Sequence, residues 1–256
     1  MAEVMRGTFL GRYPAPYDQC PDCGFLQVRS PHWLDEAYSD AIVVTDTGLV
    51  QRNLDLAGIL CALLPRLGLE REQGPFLDYG GGLGLLVRLM RDRGFAFHWS
   101  DAYSRNELAR GFEYRPDLGP CAAVTAFEVL EHTTDPAAVG REALAAAGSD
   151  TLIFSTELYA GDLPPPDWWY FAPEGGQHIG FFRRDTLEAL ARREGVNLAS
   201  HASLHVLSRR PVSDAMVRGA MSRRARLQAW LRSRRRGLIQ QDHALMVRRL
   251  QAGQSA

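Results

Sequence analysis

Short apolar runs alternate with longer amphipathic stretches from Pro75 onwards, and this pattern is typical of a layered α/β fold. The apolar runs predict strands, and stretches whose apolar positions recur at three- or four-residue spacing predict helices. Because strands and helices interleave, we expect a parallel, doubly wound sheet. The predicted strands are Phe76–Tyr79, Phe95–Ser100, a short one near Phe112–Tyr114, Ala122–Phe127, Thr151–Thr156 and Leu198–Leu207, and the predicted helices are 84–93, 104–110, 136–147 and 185–194.

The pattern differs at both ends of the chain. Residues 8–30 contain short stretches typical of a ribbon, and a short helix is predicted near Trp33–Tyr38. A linker over Ile42–Thr47 and a longer helix from Leu49 to Leu67 follow, whereas two amphipathic, arginine-rich helices are predicted beyond Ser213. We therefore predict an N-terminal ribbon-like and helical segment (1–47), an α/β domain (48–208) and a basic helical tail (209–256).

The loop after the strand Phe76–Tyr79 has glycine at every second position, namely Gly80, Gly82 and Gly84. Glycine is needed where the backbone turns with positive φ or where a ligand touches the main chain. A strand that ends in an acidic residue, here Asp78, and feeds a glycine loop and a helix is typical of a nucleotide-like site. The G-x-G-x-x-G spacing of dinucleotide sites is not met, so NAD is disfavoured. A tight turn without a ligand is the alternative interpretation.

Two further polar segments follow the neighbouring strands. Asp101 ends the second predicted strand, where an acidic side chain can accept hydrogen bonds from both ribose hydroxyls, although a solvated turn residue is the alternative. The fourth predicted strand ends in Phe-Glu-Val-Leu-Glu-His, from Phe127 to His132, and the pair Asp135-Pro136 then starts a helix. Open parallel sheets bind ligands at the carboxyl ends of their strands, so these segments are expected to share one site.

Over residues 75–208 the sequence resembles class I S-adenosylmethionine (SAM)-dependent methyltransferases. The resemblance rests on the order and spacing of three features, namely the motif Asp-x-Gly-x-Gly-x-Gly, the strand-2 aspartate and the segment Phe-Glu-Val-Leu-Glu-His. The sequence is most similar to a bacterial small-molecule or glycan-associated subgroup with an N-terminal Cys-x-x-Cys-Gly-Phe segment. Shared features that extend the resemblance to roughly residues 9–208 are Trp33–Tyr38, Arg52-Asn53, Ser155–Glu157, Asp167–Tyr170 and Gln177-His178.

The resemblance implies a Rossmann-like, seven-stranded methyltransferase sheet that ends in an antiparallel hairpin near Ser200–Ser208, with SAM as the cofactor. Many relatives have an aspartate at the start of strand 4, where this chain has Cys121-Ala122-Ala123. We expect that departure to change local polarity without removing the cofactor site. The resemblance places SAM along Asp78, Gly80, Gly82 and Gly84, its ribose at Asp101, its adenine against Ala102 and Phe127, and its methionine or methyl end near Phe127 and Glu128.

Two histidines are candidates for acid–base chemistry. Methyl transfer from a sulfonium is an in-line displacement that depends on alignment, and an oxygen or carbon nucleophile also needs a base, for which histidine is suited near neutral pH. His178, which follows an aromatic loop over 158–176, is the first candidate, and His132 is the second. A structural hydrogen bond is the alternative role for either. The loop residues expected to stack on an acceptor ring are Trp168, Trp169, Tyr170 and Phe171.

Cysteine usage and hydropathy indicate neither disulfides nor membrane insertion. The four cysteines do not form a disulfide framework. Cys20 and Cys23 are spaced like half of a zinc site, and His32 offers a third ligand, but no fourth is evident, so no metal site is predicted. A signal peptide is not recognised, and no apolar run approaches the roughly 20 residues of a membrane span, so a cytoplasmic protein is expected.

Charge is distributed unevenly along the chain. Residues 1–208 hold 17 Arg against 28 acidic residues, a net charge of −11, whereas residues 209–256 hold 12 Arg against 2 acidic residues, a net charge of +10. A basic tail on an acidic body indicates docking on that body, an acidic partner or an anionic surface.

These observations favour methyl transfer to an oxygen or carbon of a small-molecule acceptor, such as a sugar, a sugar nucleotide or a natural-product intermediate. One alternative is an RNA methyltransferase that uses the arginine-rich tail and binds in a salt-dependent way. A nucleic acid partner is disfavoured because the body is acidic and contains no recognised RNA-binding module. A non-catalytic interaction protein on a SAM-binding fold is a further alternative. The acceptor and the oligomeric state remain open.

Overall fold

A computed structural model of the protein describes residues 1–39, 45–233 and 237–253. The first half of the predicted linker Ile42–Thr47 (residues 42–44) and the arginines 234–236 of the tail lie outside the described residues. In chain order the elements are β1 (Ala2–Phe9), β2 (Tyr13–Gln19), β3 (Leu26–Val28), α1 (Leu34–Ala37), α2 (Leu49–Leu63), β4 (Phe76–Tyr79), α3 (Leu85–Arg91), β5 (Phe97–Ser100), β6 (Val124–Phe127), α4 (Pro136–Ala147), β7 (Thr151–Ser155), β8 (Gly180–Phe181), α5 (Arg184–Glu194), β9 (Asn197–His201), β10 (Leu204–Ser208), α6 (Asp214–Met221), α7 (Arg223–Ser233) and α8 (Ile239–Gln251).

The central sheet has the strand order β5-β4-β6-β7-β10-β9. Strands β5, β4, β6 and β7 run parallel, and β10 is antiparallel to both β7 and β9. The chain passes from β4 to β5 on one side and then to β6 on the other, so the carboxyl end of β4 is the switch point at which open α/β sheets bind ligands. The predicted doubly wound, Rossmann-like sheet and its terminal antiparallel hairpin are confirmed.

The region between β5 and β6 differs from the prediction. In place of a strand near Phe112–Tyr114 there is a single bridge between Trp99 and Glu113, so the sheet has six strands rather than seven. The predicted helix 104–110 is an irregular loop. Its backbone is bound by side chains instead, because the Asn106 amide bonds to both the N–H (2.9 Å) and the carbonyl (2.8 Å) of Ala109. Such local side-chain bonds compete with helix formation.

The two faces of the central sheet are covered by different helices. One face packs against α2, α3 and the tail helices, and the other packs against α4 and α5. Local sequence explains α4 well: the Asp135 side chain accepts a 2.9 Å hydrogen bond from the N–H of Ala138, Pro136 occupies the first turn, and Gly148 ends the helix in the left-handed conformation. The glycine and alanine residues of α4 allow it to approach β7 closely.

The N-terminal ribbon is a second sheet with the order β1-β2-β3-β8. Its last strand, β8, comes from the segment that directly follows His178, so this sheet holds the histidine loop in place. A buried aromatic cluster lies beneath it, with Phe9 stacked on Trp33 at 4.5 Å and Tyr17 in contact with Phe181. The division of the chain at residue 47 stays a prediction, since β8 completes this sheet from within the middle region.

The part of the tail that the structure describes forms three helices rather than the two predicted. The backbone becomes extended at Ser222 (ψ 139°), which separates α6 from α7. Helices α6 and α7 pack against α2, whereas α8 lies on α3, where Asp242 accepts hydrogen bonds from Nε (2.9 Å) and Nη2 (2.6 Å) of Arg91 and also pairs with Arg88. The described tail therefore docks on the body, and its central ion pair joins an acid of the tail to arginines of the body.

No helix among the described residues combines the length and the apolar character that a bilayer span requires.

Candidate functional site

The site begins at Asp78, which ends β4 and is buried. The hydroxyl of Thr125, at the paired position of β6, donates a 2.7 Å hydrogen bond to Oδ1 of Asp78. Burial raises the pKa of Asp78 to about 7; the charge of Asp101 adds to this rise and the bond from Thr125 opposes it. A cation bound beside this carboxyl would restore its ionised form. The sequence signal for Thr125, which the prediction missed, is a hydroxyl residue inside an apolar strand.

The glycines of the loop after β4 are required for two different reasons. Gly80 (φ +72°) and Gly84 (φ +84°) face protein neighbours, because a Cβ would lie 2.6 Å from Cγ2 of Val129 and 2.6 Å from Oδ1 of Asn106, respectively. Gly82 also has a positive φ (+53°), but no atom of the described residues lies within 4 Å of its Cβ position. The backbone at Gly82 is therefore open to a ligand, as a cofactor cradle requires.

Asp101 connects the glycine loop to the loop after β5. Its Oδ2 accepts a 2.8 Å hydrogen bond from the N–H of Gly82, and its Oδ1 accepts bonds from the N–H groups of Tyr103 (2.7 Å) and Ser104 (2.8 Å). A carboxylate has about four acceptor sites, so about one is left for a ribose hydroxyl. The indole of Trp99 supports the same turn by donating to the carbonyl of Gly82 (2.8 Å).

Glu128 follows β6 in the left-handed conformation, with φ +53°. The hydroxyl of Ser155, at the end of β7, donates to Oε1 of Glu128 (2.6 Å) and accepts from its N–H (2.9 Å). Backbone strain of this kind costs on the order of 1 kcal/mol or more for a residue other than glycine, and these two bonds offset it. Phe127 and Ala102 flank the same edge and are not fully buried, so the structure brings together all the residues predicted to bind the cofactor. Their individual roles stay predictions.

His132 and His178 meet on the other side of Glu128, with ring centroids 4.8 Å apart. Nδ1 of His178 lies 2.6 Å from the carbonyl of Tyr170. A carbonyl only accepts, so Nδ1 carries the proton and Nε2 keeps its lone pair. Burial lowers the pKa of both rings, and that of His132 falls to about 3. Both histidines are therefore neutral near pH 7, which is the form that accepts a proton or a metal ion.

Glu131 lies behind the histidines and is fully buried. Burial and the charge of Glu128 raise its pKa well above the ordinary range. The hydroxyl of Tyr170 donates to its Oε1, whereas Oε2 of Glu131 and Nδ1 of His132 have no hydrogen-bond partner within the described parts of the chain. Sequence reasoning missed this link because only the fold brings Tyr170 next to a residue 39 positions earlier.

The aromatic loop supplies fewer exposed rings than predicted. Tyr170 and Phe171 are buried in the core of the N-terminal sheet, and Trp168 packs against Phe171 at 5.5 Å. Trp169 is 71% exposed and is the one of the four whose ring is largely accessible. Tyr38, a residue that sequence reasoning did not assign to the site, stacks on Tyr103 (4.9 Å) and lies 6.3 Å from His132.

Comparison with known proteins places this geometry in a family. A family profile described as "Methyltransferase domain" matches residues 51–201, which is more than half of the chain. The chain belongs to this family. It is a class I methyltransferase, and SAM is its methyl donor. The residues present fit that cofactor, because the open backbone at Gly82 and the buried carboxyl of Asp78 lie together at the switch point of the sheet.

Solved structures match part of the chain at low sequence identity and with TM-scores below 0.5. TnmH is 19% identical with a TM-score of 0.46, and the match covers 70% of this chain and 61% of TnmH. Magnesium protoporphyrin IX methyltransferase from Synechocystis PCC 6803, solved with bound S-adenosylhomocysteine, is 16% identical with a TM-score of 0.45 and coverages of 69% and 91%. An O-methyltransferase family protein from Burkholderia thailandensis is 13% identical, with a TM-score of 0.44 and coverages of 69% and 66%. No curated protein sequence matches the chain significantly.

Proposed function

We propose that this methyltransferase modifies an oxygen of a small-molecule acceptor, such as a sugar, a sugar nucleotide or a natural-product intermediate, with carbon as the second choice of nucleophile. The observation that carries the proposal is the state of His178. Its Nδ1 is fixed by the carbonyl of Tyr170, and its Nε2 keeps a lone pair in a ring that is partly exposed. Such a group suits the removal of a hydroxyl proton.

In this proposal SAM binds along Asp78, Gly80, Gly82 and Gly84. Asp101 contacts the ribose, Ala102 and Phe127 border the adenine, and Glu128 faces the methionine or methyl end. The cofactor supplies a methyl group on a sulfonium sulfur. The protein aligns the acceptor oxygen with that group, which supplies most of the rate enhancement.

The acceptor side is formed by His178, His132 and the exposed ring of Trp169. Nε2 of His178 would take the proton of the acceptor hydroxyl, while bound SAM would supply the methyl group and be left as S-adenosylhomocysteine. His132 is the second candidate for this proton. A ring of a sugar or an aromatic acceptor would stack on Trp169.

We also propose that the chain belongs to the bacterial subgroup with the Cys-x-x-Cys-Gly-Phe segment. In this structure the segment is a tight turn against α5: the N–H of Gly24 donates to the carbonyl of Cys20 (2.9 Å), and the hydroxyl of Thr186 donates to that of Cys23 (2.7 Å). Gly24 has φ +71°, and a Cβ there would lie 2.4 Å from Cδ of Arg183, so this turn favours glycine. The turn thus has a packing role next to β8.

The test is a transfer assay with methyl-labelled SAM and a cell extract, followed by fractionation of the products by size and by ribonuclease treatment. Label in small, ribonuclease-resistant products supports the proposal, and label in RNA would favour the alternative that uses the arginine-rich tail.

His178→Ala should lower turnover about 100-fold or more with nearly unchanged SAM affinity. His243→Ala, an exposed histidine of α8, is the matched control and should retain full turnover.

A further inference from the structure

We propose that Glu131, His132 and His178 bind a divalent transition-metal ion, which holds and activates the acceptor oxygen. This inference rests on the proposed function only for the presence of an acceptor at this place. The three side chains come from two separate segments, one after β6 and one before β8, which the fold brings together.

The geometry of the three groups suits a metal ion. One potential ligand atom from each residue lies within 4.8 Å of the others. Ligand atoms at about 2.0–2.2 Å from a zinc-like ion are separated by about 3.4 Å. The side chains therefore need to move inwards by roughly an ångström, which rotamer adjustments provide.

Two of the three residues have unused ligand atoms in the protein interior. Oε2 of Glu131 is buried and has no hydrogen-bond partner among the described residues, and the same holds for Nδ1 of His132. Buried polar atoms are nearly always paired, and each unpaired one destabilises the fold by about 1–3 kcal/mol. A bound cation would satisfy the unpaired carboxylate oxygen, and a small ring rotation would bring His132 into the same coordination sphere.

Tyr170 orients two of the three ligands, His178 and Glu131. Its carbonyl is 2.6 Å from Nδ1 of His178, which leaves Nε2 as the ligand atom, and its hydroxyl donates to Oε1 of Glu131, which leaves Oε2. Metal-binding histidines commonly donate their second ring N–H to a carbonyl or carboxylate, and metal-binding carboxylates are commonly hydrogen-bonded as well. One buried residue thus prepares two ligands at once.

The charges around the cluster also favour a cation. Glu128 adds a second carboxylate whose charge reaches His178. Arg52 is the neighbouring positive group, and Asp46 neutralises it through two hydrogen bonds of 2.7 and 3.1 Å. Two nitrogen ligands and one oxygen ligand favour Mn²⁺, Fe²⁺, Co²⁺ or Zn²⁺ over Ca²⁺ and Mg²⁺. Since both histidines are partly exposed, positions on the ion stay open for an acceptor oxygen.

A cation in this place changes how the proton is removed. A hydroxyl bound to a divalent ion is more acidic, as bound water is, so its proton passes to solvent. The oxygen then attacks the methyl carbon, the carbon–sulfur bond breaks, and the sulfur keeps the electron pair as S-adenosylhomocysteine leaves. His178 acts as a ligand in this form and as the base only in metal-free protein.

The experiment titrates the full-length protein, first stripped with EDTA and desalted, with Co²⁺ and follows visible absorbance. We expect one Co²⁺ per chain. His132→Ala, His178→Ala and Glu131→Gln should each weaken binding at least about 100-fold. The double variant Cys20→Ser, Cys23→Ser removes the other metal-like pair of this chain and should bind Co²⁺ as the wild type does. Circular dichroism establishes that each variant is folded.

The outcomes separate the two proposals. Absence of Co²⁺ binding at about 100 µM, a concentration that would nearly fill a site with a dissociation constant of about 1 µM, overturns the metal site. Binding that is lost in the cysteine variant and kept in the histidine variants overturns it as well. Co²⁺ binding without any methyl transfer to a small molecule leaves the metal site standing and overturns the proposed function. Methyl transfer that is abolished by EDTA and restored by Mn²⁺ or Co²⁺ supports both, whereas full transfer after EDTA leaves His178 as the base and overturns the metal's role.

Discussion

The three alternating glycines of the loop after β4 lack side chains for different reasons, and among them only Gly82 has no described residue within 4 Å of its Cβ position. Gly80 and Gly84 would collide with Val129 and Asn106 if they carried a Cβ, whereas the Cβ position of Gly82 points into open space. Gly80 and Gly84 are therefore needed for the packing of the loop against its protein neighbours. The open space at Gly82 faces whatever binds to the loop, and in a SAM-dependent methyltransferase that is the cofactor.

We predict that Gly82→Ala lowers SAM affinity about 10-fold or more, measured by calorimetry. The added methyl group would occupy cofactor space, while the positive φ alone costs about 1 kcal/mol of folding stability. Gly68→Ala is the matched control, since Gly68 also has a positive φ (+69°) and no neighbour within 4 Å of its Cβ position. It should lose similar stability and bind SAM normally. Equal affinities in the two variants would mean that the cofactor does not touch Gly82.

Asp78 gives a prediction on pH. Its folded-state pKa of about 7 lies above the value of an exposed aspartate because burial disfavours the charged form. The folded protein therefore binds this proton more tightly than the unfolded chain, and the group destabilises the fold increasingly as pH rises from about 4 to about 7. Asp78→Asn removes this effect, so its free energy of unfolding should gain on the wild type over that range, by at most about 4 kcal/mol. Urea unfolding at a series of pH values measures it, and parallel curves would show that Asp78 is not buried as described.

At the scale of elements, hydrophobic periodicity predicted the regular strands and helices, but it did not predict the loop whose backbone is fixed by side-chain hydrogen bonds. The strand Phe76–Tyr79 and the helix 136–147 match their predicted bounds because apolar runs and clear capping residues mark them. The helix predicted at 104–110 failed because Asn106 and Asp101 bind backbone groups that a helix would use. The break at Ser222 was missed because it interrupts an otherwise continuous helical pattern. Strand β1 begins at Ala2, earlier than predicted, since its glycine and arginine weaken the strand signal.

The contact between α8 and α3 depends on Asp242. Burial alone would raise the pKa of this carboxyl, but the hydrogen bonds from Arg91 and Arg88 lower it below the ordinary range. Arg91 is itself buried and packs on the ring of Phe112, with its guanidinium carbon 3.7 Å from the ring centroid. Removal of the acid would leave this guanidinium without its counter-ion in the interior.

We therefore predict that Asp242→Ala lowers the free energy of unfolding by about 3–5 kcal/mol, the usual effect of breaking a buried ion pair. Asp117→Ala is the control, because the Arg115–Asp117 pair is exposed on both sides and should contribute less than about 1 kcal/mol. Urea unfolding of the two variants checks this. Similar, small losses in both would mean that α8 does not depend on its contact with α3.

At the scale of the whole molecule, two sheets together position the cluster of Glu131, His132 and His178. The central sheet positions Glu128, Glu131 and His132 after β6, and the N-terminal sheet positions His178 just before β8. The sequence indicated the cofactor motifs and His132 because each follows a recognisable strand, and it indicated His178 because this residue follows the aromatic loop 158–176. It did not indicate that Tyr170 joins them, that Glu131 is buried beside them, or that the N-terminal ribbon holds the loop, because these depend on contacts between residues far apart in the chain.

A substitution at Trp33 tests whether the N-terminal sheet positions His178. Its indole stacks on Phe9 and donates a 2.9 Å hydrogen bond to the carbonyl of Gly176, two residues before His178. Trp33→Phe keeps most of the packing and leaves that buried carbonyl unpaired, which costs about 1–3 kcal/mol. A small displacement of a group in an active site lowers the rate strongly, so we predict a turnover about 10-fold lower with unchanged SAM affinity. Asp242→Ala is the control, because it destabilises the contact between α8 and α3 and not the loop of His178. At urea concentrations well below its unfolding midpoint it should keep the turnover of the wild type. An equal loss of turnover in both variants would indicate general destabilisation and not displacement of His178.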